Sequence, residues 1–240
     1  MKIKKVNIIV LLFACMAISL SSCNVGGEDR PWGSGTGTVV YSYMGMSKYI
    51  KMDALGVILP SQTLPTEYAE HQRVYVEFYV DEEMSDLSMG YKYVADIQLL
   101  EKIPTSNPVL HPIPANDTLN VDPFIESAGS NIVTGLWVVD DFLTVVPFIA
   151  YSVFSKHKIT LTYVDAGELL SNPDTIHLRL NHNAHGDEKA NITFSYNSFR
   201  LDQFYGAKDT VVLSIKMPVT VSSIATKVDT VVKNVKYGRR

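Results

Sequence analysis

Short runs of alternating apolar and polar residues fill the first half of the chain after residue 38. The clearest run is 73–80, in which Val74, Val76 and Phe78 share one face and the polar or aromatic residues between them share the other. A period of two residues is typical of a strand with one buried face. Similar β-branched or aromatic runs lie at residues 38–43, 49–53, 57–59 and 91–103.

Five short strands in one segment favour a small barrel, because curling removes exposed sheet edges. We therefore predict a five-stranded barrel of the OB type over residues 38–104. A five-stranded meander is the alternative, because periodicity alone does not fix the order of strands.

The second half of the chain carries a second series of strand-like runs. They lie at residues 132–139, 142–150, 157–164, 175–181, 190–199 and 210–217, with a further candidate at 228–237. Antiparallel strands with one buried face each predict a two-sheet β-sandwich over residues 124–240. Asp140 and Asp141 predict a hairpin turn, Pro147 predicts an edge position or a bulge, and Trp137 is assigned to the sandwich core.

A proline-rich stretch separates the two halves. Residues 105–123 contain four of the chain's 11 prolines, including Pro108 and Pro123. Proline fixes φ and cannot donate to a ladder, so we predict an extended linker here, with His111 as a linker residue. The fold class predicted for the whole mature chain is all-β.

The N-terminus has the features of an export signal. Three lysines precede a thirteen-residue apolar run at 8–20, which Leu-Ser-Ser-Cys23 follows. Thirteen residues make about 20 Å of helix, too short for a hydrocarbon core of about 30 Å. The ending resembles the lipobox of bacterial lipoproteins, which implies removal of residues 1–22 and acylation of Cys23. The alternative is an ordinary secretory signal.

The segment after the cysteine is rich in glycine. Residues 23–37 hold five glycines and predict a flexible tether between a lipid anchor and the folded body, with Trp32 as a tether residue. Cys15 lies inside the signal, so the exported chain carries one cysteine and forms no internal disulfide. We expect a cell-envelope lipoprotein of the outer membrane, on its periplasmic face or at the cell surface.

Charge excludes one class of partner. Without the predicted signal the chain has 18 basic and 25 acidic residues, a net charge of −7. An acidic chain without a basic block does not suit nucleic acid, whose phosphates must be neutralised by lysine and arginine. The membrane contact expected is therefore through lipid on Cys23 rather than through charge.

Histidine and aspartate cluster near the end of the fourth predicted strand of the second half. His182, His185 and Asp187 are the weak candidates for a metal site, but their spacing matches no structural zinc pattern. In the alternative interpretation polar side chains bond loop amides and Gly186 supplies a positive φ. The side chains assigned to that bonding are Asn181, Asn183 and Asp187. We predict no metal and no cofactor.

Catalytic motifs do not occur. The chain contains no Gly-x-Ser-x-Gly, and its one exported cysteine is predicted to be acylated, so no catalytic residue is assigned and a non-enzymatic protein is expected. Tyr41, Tyr75 and Tyr79 are candidate ligand-contact aromatics that could stack on sugars. The alternative is that these rings simply cover a half-buried sheet.

Several runs resemble the C-terminal β-sandwich domain of NigD-like lipoproteins from Bacteroidetes. They are residues 176–187, 192–196 and 209–217, with 136–138 and 142–145 similar to the strands that open that domain. The resemblance implies an N-terminal OB-type domain behind a lipobox, and a proposed link to bacteriocin immunity without catalytic residues. The predicted function is a non-enzymatic envelope protein that binds an unknown protein partner in an immunity-like or accessory role. The alternative is a surface glycan-binding lipoprotein.

Overall fold

The computed structural model describes residues 30–42, 47–81, 90–110, 122–125, 133–163, 174–204, 209–220 and 228–238. The predicted signal, Cys23, the first part of the tether and His111 lie outside these residues. The chain divides into two compact units, Met1–Ile103 and Pro104–Arg240. Nearly all described residues are in strands or their turns, which confirms the all-β prediction.

The first unit is a closed five-stranded barrel. Its strands are β1 (Trp32–Tyr41), β2 (Lys48–Met52), β3 (Gly56–Pro60), β4 (Arg73–Asp81) and β5 (Tyr93–Lys102). They follow the order β1-β2-β3-β5-β4, and β4 closes the barrel on β1. The pairing of β3 with β5 is parallel. The OB-type prediction is therefore confirmed, and a meander, which would pair strands only in sequence order, is excluded.

Glycines of the predicted tether form part of β1, so the tether does not extend to residue 37. A Cβ on Gly33 would come within 2.8 Å of the Phe78 ring, and one on Gly37 within 2.8 Å of both an Ile50 methyl and the Lys51 carbonyl oxygen. Glycine is needed here because core side chains and a neighbouring backbone approach this strand closely. Trp32 likewise belongs to β1. A glycine-rich barrel strand has the same composition as a linker.

A buried ion pair connects the turn that follows β2 to the first residue of β4. The guanidinium of Arg73 is fully buried and donates through Nη1 to Asp53 Oδ1 at 2.6 Å and through Nη2 to Oδ2. Arg73 Nη1 also donates to the hydroxyl of Thr38 at 2.9 Å, and the Thr36 hydroxyl donates to Asp53 at 2.6 Å. Each charge is thus met by an opposite charge and by hydroxyl groups, which buried charges require.

The second unit contains eleven strands in the described residues. They are β6 (Thr105–Ser106), β7 (Val109–Leu110), β8 (Phe124–Ile125), β9 (Val133–Val139), β10 (Phe142–Tyr151), β11 (Lys158–Tyr163), β12 (Thr175–Asn183), β13 (Asn191–Phe194), β14 (Asn197–Arg200), β15 (Thr210–Thr220) and β16 (Asp229–Gly238). The core between the layers includes Leu143, Leu161, Leu180, Phe199 and Leu213. The last candidate strand predicted from sequence is present as β16.

Strand β10 belongs to both layers of this sandwich. Residues 142–145 pair with β9 and β14, whereas Phe148 and its neighbours pair with β8 and β13. The register shifts between Val145 and Pro147, so the bulge predicted from Pro147 is confirmed. Asp140 has φ of 49° in the two-residue hairpin turn from β9 to β10, as predicted.

Two details of the sandwich differ from expectation. The central pairing of β12 with β15 is parallel, although most of the other long pairings are antiparallel. Trp137 is not part of the sandwich core. Leu136 and Val138 pack against that core, whereas the Trp137 ring covers Gly135, where a Cβ would lie 2.3 Å from a ring carbon. Alternation places the tryptophan on the opposite face of β9 from its two neighbours.

Residues 104–110 are part of the second unit rather than a free linker. β6 pairs in parallel with β14 of one layer, and β7 pairs in parallel with β11 of the other. Proline withdraws only its own amide, so the residues between Pro104 and Pro108 still pair at a sheet edge. We call residues 104–110 the strap, because they connect the edges of the two layers.

Candidate functional site

The candidate site of the second unit is built from two loops. One follows β10 and includes a short 3-10 turn at Phe154–Lys156; the other follows β12 and turns sharply at His185 and Gly186. These two residues have φ of 48° and 70°, and the Asp187 amide donates to the Ala184 carbonyl at 2.9 Å. The left-handed turn brings Asp187 to the first loop.

Asp187 fastens the two loops together. Its Oδ2 accepts the backbone amides of Ser152 and Val153, both at 2.7 Å, and the Nε2 of His157 at 3.1 Å. Lys156 lies 3.5 Å from its Oδ1. Burial opposes ionisation, but the two amides, His157 and Lys156 outweigh burial and hold the pKa of Asp187 far below its usual value. We call this set of contacts the Asp187 latch.

A second histidine extends the latch into the interior. His157 Nδ1 lies 2.8 Å from Nε2 of His182, whose ring also stacks on Phe124 with centroids 5.3 Å apart. His182 is 2% exposed, and its Nδ1 is enclosed by the protein. Burial first, and the adjacent His157 second, lower the pKa of His182 to about 4, although Asp122 and nearby backbone groups act in the opposite direction.

This arrangement leaves no imidazole nitrogen of the latch free to act on a bound molecule. Both nitrogens of His157 are occupied, by Asp187 and by His182, and the remaining nitrogen of His182 is enclosed. A general base must reach the proton that it removes. The described geometry therefore suits a structural role better than proton transfer.

The three candidate metal ligands do not converge. His182 and Asp187 are connected only through His157, and His185 is exposed on the turn, where its amide donates to Asn183 Oδ1 at 2.7 Å. No group of three or more histidine, cysteine, aspartate or glutamate side chains within the described ranges could hold a metal ion. Asn183 and Asp187 bond loop amides as the alternative interpretation predicts. Asn181 instead donates to Thr162 Oγ1.

Sequence reasoning missed His157. It lies 25 residues before His182 and 30 before Asp187, and no local spacing connects them. The available signal was its position at the start of a strand that pairs with the strand carrying His182, because Ile159 and His182 are direct cross-strand neighbours.

A groove of about 370 Å³ opens beside the latch, beneath the strap. We call it the strap groove. Its described lining combines apolar, hydroxyl and amide side chains with one histidine and one lysine: Pro104, Thr105, Ser106, Asn107, Val109, Phe154, His157, Lys158, Ile159, Thr160, Ser195 and Asn197. The volume lies within the range of small-ligand sites in proteins.

An exposed apolar patch lies on β10 and β13. Ile192 and Phe194 are 52% and 51% exposed, and Phe194 stands opposite Phe148 across the strand pair. The Phe194 ring also meets that of Tyr196 edge-on at 5.7 Å. Among the described residues β13 pairs only with β10, so its second backbone edge is open. We call these four residues and this edge the β13 patch.

The three candidate tyrosines of the first unit are spread along the barrel. Tyr75 and Tyr79 share a face of β4 but are about 13 Å apart at four residues of strand rise. Tyr41 lies at the far end of β1, where Lys48 stands 5.8 Å from its ring. Arg30 covers the Tyr79 ring at 5.4 Å, and the Tyr75 hydroxyl donates to Glu77 at 3.0 Å. The structure therefore does not bring the three rings together.

Comparison with known proteins supports the fold of both units. Similar structures include a NigD-like immunity protein from Bacteroides caccae (TM-score 0.59, 16% identity, covering 90% of this chain and 99% of that one). A predicted lipoprotein from Bacteroides fragilis is similar with a TM-score of 0.63 and 14% identity. This match covers 87% of this chain and 99% of that one. A predicted toxin-related protein from Parabacteroides distasonis is similar with a TM-score of 0.62 and 20% identity. This match covers 87% of this chain and 94% of that one. At these identities the likeness shows the fold alone.

Comparison by sequence adds one negative and one positive result. A search of curated proteins found no match. Within the described ranges, no helix has the length and apolar character needed to span a membrane. Residues 116–231 match the model of the NigD-like C-terminal beta sandwich domain. The resemblance of the second unit to the NigD-like C-terminal β-sandwich domain, predicted from the sequence, is therefore confirmed.

Proposed function

We propose that this chain is a lipid-anchored envelope protein that binds a protein partner through the β13 patch, in an immunity-like or accessory role. The observation that carries the proposal is the exposure of Ile192 and Phe194 on a strand whose outer edge has no pairing strand in the part of the chain that the structure describes. Contiguous apolar surface and open strand edges both favour contact with another protein. The likeness to a NigD-like immunity protein supports the immunity-like role.

The patch has the means to bind an extended segment. Its open edge offers backbone donors and acceptors, and its aromatic side chains offer apolar area beside that edge. In β-augmentation, backbone hydrogen bonds give affinity and pockets for alternate side chains give specificity. An enzymatic role receives less support, because the latch histidines have no nitrogen free for a substrate.

Site-specific photo-cross-linking tests the patch. A photoreactive amino acid at position 194 is expected to give one discrete adduct in the native envelope, because this position would be covered by the partner. The matched control is Val232, which has the same 52% exposure as Ile192 but lies on β16. A probe at 192 should lose its adduct when Phe194→Ser is added. Equal adducts at 194 and 232, or none at 194, would refute the proposal.

The anchor is tested by metabolic labelling. We expect radioactive palmitate to be incorporated into the wild-type chain and to be lost in Cys23→Ala, because this substitution removes the thiol that is acylated. More than one acyl chain is needed for stable anchoring. Labelling that survives this substitution would exclude Cys23 as the acylated residue.

A further inference from the structure

We propose that the strap groove binds the free carboxyl end of the protein partner, with Lys158 pairing with the terminal carboxylate. This inference rests on the proposed function and specifies the chemistry of the partner. Three features of the second unit support it: the position of the groove, its charge and its apolar walls.

The groove begins where the β13 patch ends. Ser195 and Asn197 line the groove, and Ser195 directly follows Phe194 in the chain. The Ser195 amide donates to the Pro147 carbonyl at 3.1 Å, and Asn197 Nδ2 donates to Ser195 Oγ at 3.0 Å, which fixes this connection. A segment lying along the open edge of β13 can therefore continue into the groove without leaving the surface.

The charge of the groove suits an anion. Lys158 is its one lysine, and among the described residues it makes no ion pair, whereas the nearby Lys156 is paired with Asp187. The described lining contains no carboxylate. In a chain that is acidic as a whole, a lysine that has no ion-pair partner within the described ranges favours a carboxylate ligand.

The remaining walls suit an apolar side chain. Phe154 is 46% exposed and Val109 is 52% exposed, and both line the groove together with Ile159. The Phe154 ring packs edge-on against Tyr151 at 5.8 Å, which limits its motion. A terminal residue with an apolar side chain would cover these surfaces while its carboxylate reached Lys158.

The Asp187 latch holds the walls in place. Asp187 binds the amides of Ser152 and Val153, directly before Phe154, and the ring of His157, directly before Lys158. Phe154 therefore lies in a loop fastened at both ends, and Lys158 begins the strand that directly follows this loop. Preorganisation of this kind reduces the entropy lost on binding.

Peptides with free and blocked ends test the inference. Pools of hexapeptides ending in Leu or Phe, prepared as free acids and as amides, are titrated against the full chain in detergent by fluorescence anisotropy. We expect the amides to bind about tenfold more weakly, because a charge-assisted contact is lost. Lys158→Gln should abolish the difference between acid and amide, and Phe154→Ala should weaken both forms. Lys233→Gln on β16 is the charge-matched control and should change neither.

Each other result has a defined meaning. Equal binding of acids and amides to the wild-type chain would overturn the inference. It would also be overturned if glucuronate, an acidic sugar, displaced the peptides and bound in preference to them. If amides bind as well as acids while the cross-link at position 194 remains, the carboxylate inference fails and the proposed function stands. If acids bind in a Lys158-dependent manner without a cross-link at 194, the groove inference holds and the β13 patch is not the contact surface.

Discussion

Asp53→Asn is expected to reduce the unfolding free energy of the barrel by about 3–5 kcal/mol. The substitution leaves the fully buried guanidinium of Arg73 without the carboxylate that now binds both of its terminal nitrogens. A buried charge that loses its partner keeps its desolvation penalty, which is why the cost exceeds that of a single hydrogen bond. Urea denaturation measures it. A Trp137→Phe background leaves Trp32 on β1 as the fluorescent reporter, since the chain has two tryptophans.

The matched control is a surface pair in the same barrel. Arg30 and Asp96 lie 3.4 Å apart with side chains 43% and 26% exposed. Solvent screening limits exposed pairs to about 0–1 kcal/mol, so Asp96→Asn should have little effect. Similar losses for the two substitutions would show that burial of the Arg73 pair does not matter to stability.

The second unit is expected to lose about 3 kcal/mol of stability between pH 6.5 and pH 4. The pKa of His182 falls from 6.5 to about 4 in the folded chain, chiefly through burial. The unfolded chain therefore binds a proton in this pH range that the folded chain excludes, so stability is full above pH 6.5 and declines as pH falls. The depressed pKa of Asp187 adds a further loss only below its ordinary value of 3.8.

Denaturation at a series of pH values in a Trp32→Phe background, with Trp137 as reporter, measures this decline. His182→Gln should flatten it, because glutamine can still donate to His157 but does not titrate. His185→Gln is the control, since that side chain is exposed on the turn. A decline that persists unchanged in His182→Gln would assign the pH dependence to another group.

Alternation along the chain predicted the strands well but predicted connections poorly. The runs at 73–80 and 210–217 read correctly as β4 and β15, because a strand with one buried face has a period of two. Composition gave wrong predictions for the segments at the start and just after the end of the barrel unit in the chain. Gly33 to Gly37 resemble a tether, and the strap resembles a linker, although close packing and edge pairing place both in sheets.

The candidate site shows a different limit. His182 and Asp187 could be found from sequence because they are close along the chain, and the turn chemistry of Gly186 was predicted. His157 could not, because it reaches them only through the pairing of β11 with β12. The Arg73–Asp53 ion pair could not be predicted from the sequence for the same reason, since 20 residues separate its members. Contacts set by sheet register carry no local signature.

The strap has a practical consequence for dissecting this protein. Its four paired residues lie before most of the prolines of the segment that looks like a linker, so a cut placed after those prolines would remove one hydrogen-bonded neighbour from each layer of the sandwich. An excised C-terminal fragment that keeps both sheet margins intact has to start at Pro104, immediately after the last residue of the barrel unit.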